Sequence, residues 1–315
     1  MRAPLVRAGI ALGAAGFAAA AGAHVWARHV EIHQYRVRHV AVPALPAAAA
    51  PVRLLHISDI HLMPDDHRKL AFLRSLSELE PDVVVDTGDN ISDARSIAPL
   101  GEAIAPLLAT PGAFVLGSND MYAPKPKNPL RYFLKDPRPA SLLSSPPPMS
   151  LPTPTLVSLL GSQGWEDLTN TTASTDLPGV RIEWSGVDDP HLERDDAPES
   201  FTGAAGDGAR RTEDGRPILR VGVAHAPYRR VLDSFADLGS DLILAGHTHG
   251  GQLRVPGFGA LVTNCDLPRR QAKGLSAWRG VPLHVSGGMG ASPYTNYRFA
   301  NPPEATLLTL VPRSA

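Results

Sequence analysis

The sequence predicts an α/β fold, and three observations carry that reading. After Pro51, short apolar runs alternate with amphipathic stretches. Five of these runs end directly in a turn that holds His, Asp or Asn, and the carboxyl edge of an open α/β sheet is where ligands bind. The chain of 315 residues is long enough for one large domain or two smaller ones, each with a full core.

Taken in order, the first element is apolar. From Ala8 to Ala27 there is no Asp, Glu, Lys or Arg, and such a helix would span ~30 Å, the thickness of a bilayer's hydrocarbon. Three readings stand side by side: a single-pass anchor, a signal peptide cleaved after Ala23, and a buried Ala-rich helix. Arg2 and Arg7 precede the run and Arg28, Arg36 and Arg38 follow it, so charge does not orient it. The organisation expected is an anchor or signal segment over 1–30, a linker and incoming strand over 31–50, and a catalytic domain over 51–313.

Within that domain Val52 to Ile57 reads as a strand running into Ser-Asp-Ile-His. Val83 to Val85 runs into Asp-Thr-Gly-Asp, and Phe114 to Leu116 into Gly-Ser-Asn-Asp. Leu219 to Val223 runs into Ala-His-Ala-Pro, and Leu242 to Leu244 into Ala-Gly-His-Thr-His-Gly-Gly. Helices are expected over Arg68 to Leu79, with Leu70, Leu73 and Leu76 on one face and Pro81 closing it, over Ala94 to Leu108 and over Tyr228 to Leu238. Val281 to Val285 and Ala305 to Leu310 read as the last strands. Ten of the 31 prolines fall between Pro124 and Pro154, which marks 123–177 as a Pro-rich insertion of the kind that forms lids or substrate loops. Residues 200–215, rich in Gly, Asp and Ala, read as a flexible loop.

Composition removes several function classes. With 30 Lys+Arg against 31 Asp+Glu the chain is near neutral, so nucleic acid is not expected as a partner. A single cysteine, Cys265, rules out an internal disulfide and thiolate zinc sites. Cys265 has no base near it in sequence, and no G-x-S-x-G elbow is present. What remains is hard-oxygen and imidazole chemistry. Singly, Gly88-Asp89 reads as a helix cap and His225 as a core histidine. Together with Asp59-x-His61 and His247-Thr-His249 they form an ordered ligand set, each member on a strand-end turn. Two cations ~3.5–4 Å apart can clamp the attacking and leaving oxygens of a phosphate and supply hydroxide at neutral pH, provided an anionic group bridges them. Imidazole mixed with carboxylate and amide oxygen suits Mn, Zn, Fe or Co.

Ser58-Asp-Ile-His61, Gly88-Asp89-Asn90, Gly117-Ser-Asn-Asp120, His225 and Gly246-His-Thr-His249 resemble, in order and spacing, the calcineurin-like metallophosphoesterases, and most of all their bacterial membrane-associated branch. The resemblance runs from about Val52 to Leu310. It implies a four-layer α/β/β/α sandwich and a metal-dependent phosphoesterase, with diesters the expected substrates. It further implies two divalent ions, one on Asp59, His61 and His249, the other on Asn119, His225 and His247, with Asp89 bridging. One departure is plain: Gly117-Ser118-Asn119-Asp120 stands where the family has Gly-Asn-His-Asp or Gly-Asn-His-Glu. Strict alignment would put Ser118 in the ligand place and Asn119 in that of the His, whereas a one-residue bulge would keep Asn119 as a ligand and bring Asp120 near the leaving group; an amide oxygen is the better ligand, so Asp89, Asn119 and Asp120 are the expected catalytic residues. The missing His also leaves open a metal-binding pseudoenzyme or sensor.

Substrate contacts are expected from Asn90, Tyr122, Lys125, Lys127 and Arg131, which follow two of the metal motifs and could hold a phosphate. Arg269, Arg270 and Lys273 could face anionic lipid heads. An N-terminal anchor would make a phospholipid or lipid-linked phosphoester accessible. The sequence is silent on oligomeric state.

Overall fold

The structure, a computed structural model, describes residues 16–47, 49–126, 149–201 and 210–313. Two six-stranded sheets carry the architecture. The first has the order β1-β14-β2-β3-β4-β5, with β1 Arg36–Leu45, β2 Val52–Ile57, β3 Val83–Asp86, β4 Gly112–Phe114, β5 Glu166–Asp167 and β14 Glu304–Pro312. The second has the order β12-β13-β9-β8-β7-β6, with β6 Thr171–Leu177, β7 Val180–Gly186, β8 Ile218–Ala224, β9 Leu242–Ala245, β12 Gly274–Trp278 and β13 Val281–Val285. A short hairpin, β10 Arg254–Val255 and β11 Gly259–Ala260, stands apart.

Strand alternation builds the layers. Leu54, Val83, Val85 and Val115 on one face of the first sheet bury against Ile182, Trp184, Val221 and Leu244 of the second. Their in-between neighbours Leu55, Ile57, Val84 and Phe114 point the other way, onto Leu70 and Leu73 of α1 (His67–Ser75), Leu100, Ile104 and Leu107 of α2 (Ile97–Leu108), and Leu156 and Leu160 of α4 (Thr153–Leu160). On the far side of the second sheet, Ala224, Ile243 and Leu283 pack on Val231, Leu232 and Phe235 of α5 (Arg229–Asp237). The result is helix, sheet, sheet, helix. Because the central strands are covered on both faces they read as unbroken apolar runs.

Parallel pairing sets the function. β2, β3 and β4 run parallel in the first sheet, and β7, β8 and β9 in the second, so their carboxyl ends open on a common rim.

Expected elements and observed ones agree closely at the long amphipathic stretches. The 68–79 helix is α1 followed by a 3₁₀ turn, Leu76–Leu79. The expected strand at 114–116 is displaced to β4, Gly112–Phe114, with Val115 and Leu116 leading into the turn. Much of the stretch read as a Pro-rich insertion is core: α4, β5 and β6 lie in 149–177, with Leu151, Trp165 and Leu168 buried. The span 31–50 holds β1, which pairs in parallel with β14 along its length.

The described chain begins in a helix over residues 16–25 that continues as one π turn, Trp26–Val30. Among the described residues no helix is long and apolar enough to cross a membrane. Residues 1–15 and 202–209 of the 200–215 loop lie outside the described residues.

Phe235 is fully buried, and a Cβ at Gly222 of β8 would come within 2.6 Å of its ring. The helix–sheet contact is therefore closed to larger residues. Phe235→Ala should cost about 3–5 kcal/mol, read as a lowered urea midpoint with an unchanged slope.

Candidate metal centre

The rim is built from strand-end turns. Asp59 and His61 follow β2, Asp89 follows β3, His225 follows β8, and His247 and His249 follow β9. Asn119 lies in α3 (Ser118–Met121), one turn of helix beyond β4. Five of these seven residues have φ in the left-handed region: Asp59 at 50°, His61 at 44°, Asp89 at 59°, His247 at 66° and His249 at 49°. Strained backbone of this kind persists only where its surroundings enforce it, and it clusters at functional sites. Asp, Asn and His are the non-glycine residues that best tolerate it. The enforcing contacts are hydrogen bonds between turns: Asp59 N–H to Gly88 O, His61 N–H to Asp89 O and Gly246 N–H to His225 O.

Glycines clear the space. A Cβ on Gly117 would lie 2.3 Å from Asp89 Oδ1 and 2.7 Å from His225 Cε1, and one on Gly246 would lie 2.0 Å from Ser58 Oγ. Both positions admit only hydrogen.

Asp59, His61, Asp89 and His249 bring one ligand atom each to within 4.8 Å of one another. His61 Nε2 is 3.2 Å from His249 Nε2 and 3.3 Å from Asp89 Oδ2, and His249 Nε2 is 3.5 Å from Asp59 Oδ1. A tetrahedral ion with bonds of about 2.0–2.1 Å has ligands about 3.3 Å apart, so the spacing fits a first-row divalent cation. On the other side, His225 Nε2 lies 3.6 Å from the same Asp89 Oδ2 and 3.3 Å from His247 Nδ1. Asn119 adds its side-chain amide, 2.7 Å from Asp89 Oδ2, and its backbone N–H, 2.7 Å from Asp89 Oδ1. One carboxylate oxygen thus stands between two imidazole groups.

In each imidazole the other ring nitrogen is already engaged. His225 Nδ1 faces Thr87 O at 2.7 Å, His249 Nδ1 faces Gly290 O at 3.0 Å, His247 Nε2 faces Asn264 O at 3.2 Å, and His61 Nδ1 faces Ser92 Oγ at 3.4 Å. Carbonyl acceptors at three of the four fix the tautomer and turn the lone pair inward, the usual outer-shell arrangement of metal-binding histidine.

Burial and charge set the electrostatics. Burial pulls His61 and His247 well below the ordinary imidazole value and lowers His249. Burial would lower His225 as well, but Asp89, Asp189 and Asp59 raise it to about 9. Burial alone would raise Asp89; His225 and His61 outweigh it and hold the carboxylate well below its usual range.

The Asp120 carboxylate is fully buried and accepts three backbone N–H groups, from Asp89 at 2.8 Å, Asn90 at 2.7 Å and Gly117 at 3.0 Å. Both oxygens hold the Asp89 turn against α3, and burial together with the Asp89 carboxylate raises Asp120 to about 7. Asn90 is likewise buried, at 1% exposure. Tyr122 pairs with Ser150 in an isolated bridge and packs on the core. Lys125 is half-buried. Lys127 and Arg131 lie outside the described residues.

Several neighbours of the cluster were not found from sequence. His191 places its ring 4.6 Å from that of His247 and its Nδ1 3.0 Å from the Tyr228 hydroxyl. Buried Asp189, which burial raises to about 7, sits beside it in Gly-Val-Asp-Asp-Pro-His. That run follows β7 as the other motifs follow their strands, and recognising β7 would have exposed it. Beneath the cluster His56 of β2 meets His284 of β13 at 2.9 Å across the two sheets, and its Nε2 lies 3.0 Å from Thr87 Oγ1. Arg298, fully buried, donates to Gly290 O and Gly287 O.

Comparison with known proteins gives consistent matches. The sequence model of the calcineurin-like phosphoesterase family matches residues 52–251. The chain is 27% identical to UDP-2,3-diacylglucosamine pyrophosphatase LpxG of Chlamydia trachomatis, over 90% of this chain and 92% of that protein. It is 24% identical to the uncharacterized metallophosphoesterase YkuE of Bacillus subtilis, over 94% and 93%. It is 30% identical to a transmembrane protein with metallophosphoesterase domain from Danio rerio, over 68% of this chain but 44% of that protein.

Two predictions follow from the outer contacts of the cluster. Ser92→Ala frees His61 Nδ1 and should weaken metal binding about tenfold, measured by competition with a chromogenic chelator. Asp86, whose Oδ1 accepts the Gly88 N–H, is raised by burial and by Asp120 to about 8. Between about pH 4 and pH 8 the folded chain holds a proton that the unfolded chain has lost. Stability of the chelated protein should therefore fall across that window as pH rises, and Asp86→Asn should flatten the fall in urea titrations.

Proposed function

The chain belongs to the calcineurin-like phosphoesterase family, and from that premise we propose that its metal centre hydrolyses a phosphodiester or pyrophosphate bond in a lipid-linked substrate. Phosphoric ester hydrolysis at a two-metal site is the family's chemistry. The observation that carries the site assignment is Asp89 Oδ2, which lies 3.3 Å from His61 Nε2 and 3.6 Å from His225 Nε2. A single anionic oxygen between two imidazole sets is what two neighbouring cations require.

In this reading Asp59, His61 and His249 hold one ion and His225, His247 and Asn119 the other, with Asp89 shared. Asn119 takes part through its amide oxygen, reached by turning the amide about its Cβ–Cγ bond. When bound, the pair of cations offsets phosphate charge and makes water acidic enough to attack at neutral pH. The protein's own residues do the rest. Thr87, Gly290 and Asn264 carbonyls aim the imidazoles, Asp120 holds the Asp89 turn, and the left-handed turns keep the ligand atoms converged before any ion arrives. Lys125, Lys127 and Arg131, with Asn90 and Tyr122, are the residues assigned to substrate contact.

The lipid-linked substrate is supported by the likeness to the Chlamydia relative, a pyrophosphatase named for a diacylated sugar nucleotide, with which the chain aligns over nearly its whole length. Membrane attachment through residues 1–30, ahead of a catalytic domain that takes in β1 from Arg36, completes the proposal. Its support is the uncharged run from Ala8 to Ala27.

The full chain in detergent should bind two equivalents of Mn or Zn and hydrolyse bis-p-nitrophenyl phosphate faster than p-nitrophenyl phosphate, with chelation abolishing both. Preference for the monoester would reverse the substrate class. Asp89→Asn should lose both ions and reduce turnover to background, while Asn119→Ala should lose mainly one; equal metal content in the two variants would remove Asp89 from its bridging place.

A further inference from the structure

Residues 250–264 leave the metal centre and return to it. They depart from His249 and come back at Asn264, whose carbonyl faces His247 Nε2 at 3.2 Å. Between these feet stands the β10–β11 hairpin, and its side chains are unlike those of a soluble surface turn. Phe258 is 63% exposed, Val255 44%, Leu253 43% and Leu261 39%. Exposed large apolar side chains grouped on one projection mark an interaction site.

The charge around them has one sign. A groove of about 670 Å³ beside the hairpin is lined by Arg254, Phe258, Arg269 and Arg270 together with proline, glycine and small apolar residues, and no carboxylate lines it. The Arg269 guanidinium stacks 5.1 Å over the Phe258 ring. Arg269 and Arg270 are exposed. An apolar tip ringed by arginine is complementary to a surface with negative heads above a hydrocarbon layer, where guanidinium meets phosphate and the tip enters the acyl boundary.

The hairpin is continuous with the chain's own apolar end. Residues 297–301 hold the hairpin on one side, through Arg254 N–H to Phe299 O and Phe299 N–H to Gln252 O. On the other they hold the N-terminal segment: Arg298 N–H donates to Ala27 O, Arg28 lies 5.1 Å over the Tyr297 ring, and Glu31 accepts the Ala300 N–H. That segment exposes Phe17, Val25 and Trp26 and extends the uncharged run that begins at Ala8.

We propose that the 250–264 hairpin, with Arg269 and Arg270, docks on an anionic lipid bilayer and sets the rim of the metal centre against it. The proposal does not rest on the reaction proposed above, because docking is read without turnover.

The test uses the full chain with Phe258→Cys in a Cys265→Ser background, labelled with an environment-sensitive fluorophore and mixed with phosphatidylcholine vesicles with or without phosphatidylglycerol. The expected result is a blue shift on the anionic vesicles and little on the neutral ones. Adding Arg269→Gln and Arg270→Gln should abolish the shift and lower partitioning about 30-fold at low salt, taking the known contribution of each arginine near an anionic surface, with the melting temperature unchanged. Binding to anionic vesicles with no shift at position 258 would show that the N-terminal segment alone reaches the lipid and would overturn the proposal. A shift that instead tracks protein concentration without vesicles would assign the surface to a second copy of the chain and overturn it equally.

Discussion

The whole arrangement turns on one buried carboxylate. Asp89 stands at the end of β3 in the first sheet, yet its Oδ2 faces His225 from the second sheet as well as His61 from its own. Two sheets can meet at a single oxygen only if their parallel strands end on a common rim and their turns cross the gap. The inter-sheet apolar layer, with Trp184 fully buried at its centre, fixes the first condition. The bonds of His247 N–H to the Asp59 carboxylate, of His225 Nδ1 with Thr87 O and of Gly290 N–H to Asp59 O fix the second. Burying a carboxylate without partners is costly; here two imidazoles and the Asn119 N–H groups supply them.

Support for that carboxylate is layered, and each layer is polar where apolar packing would be simpler. Asp120 grips the turn from behind with both oxygens, Thr87 presents its carbonyl to His225, and the same residue's hydroxyl leads through His56 to His284 on the opposite sheet. Removing any one member leaves its partner buried and unsatisfied, which raises the cost of disorder in the site. Precision at the rim is bought with such networks.

The sequence disclosed much of this, for physical reasons that differ by residue. The cluster of Asp59, His61, Asp89, His225, His247 and His249 was legible because each follows a buried strand on a tight turn, and both signals are local. The helix at 68–79 was legible from the spacing of its leucines, and that expected over 94–108 begins as a 3₁₀ turn, Ala94–Ser96, before the α-helix Ile97–Leu108. β1 was expected as the incoming strand of 31–50, but β6 and β7 were not: the edge strand Thr171–Leu177 buries little and lacks an apolar run, and the inner strand Val180–Gly186 has its apolar run broken by Arg181, Glu183 and Ser185. Missing β7 concealed His191 and Asp189. The backbone bonds that Asp120 accepts were not legible, because the direction of a side chain on a four-residue helix depends on contacts about 30 residues away, with Asp89 and Asn90, which no local pattern encodes.

The left-handed backbone at five of the ligand positions has a consequence for how such a centre can change over generations. Most side chains are excluded there by their own Cβ, while Asp, Asn and His are admitted. Those same three offer oxygen or nitrogen to a cation. Apart from glycine, which fits such a turn but brings no side chain, the substitutions best tolerated there are ones that still offer a ligand atom, and drift is channelled toward exchanging one metal preference for another while the architecture stays intact.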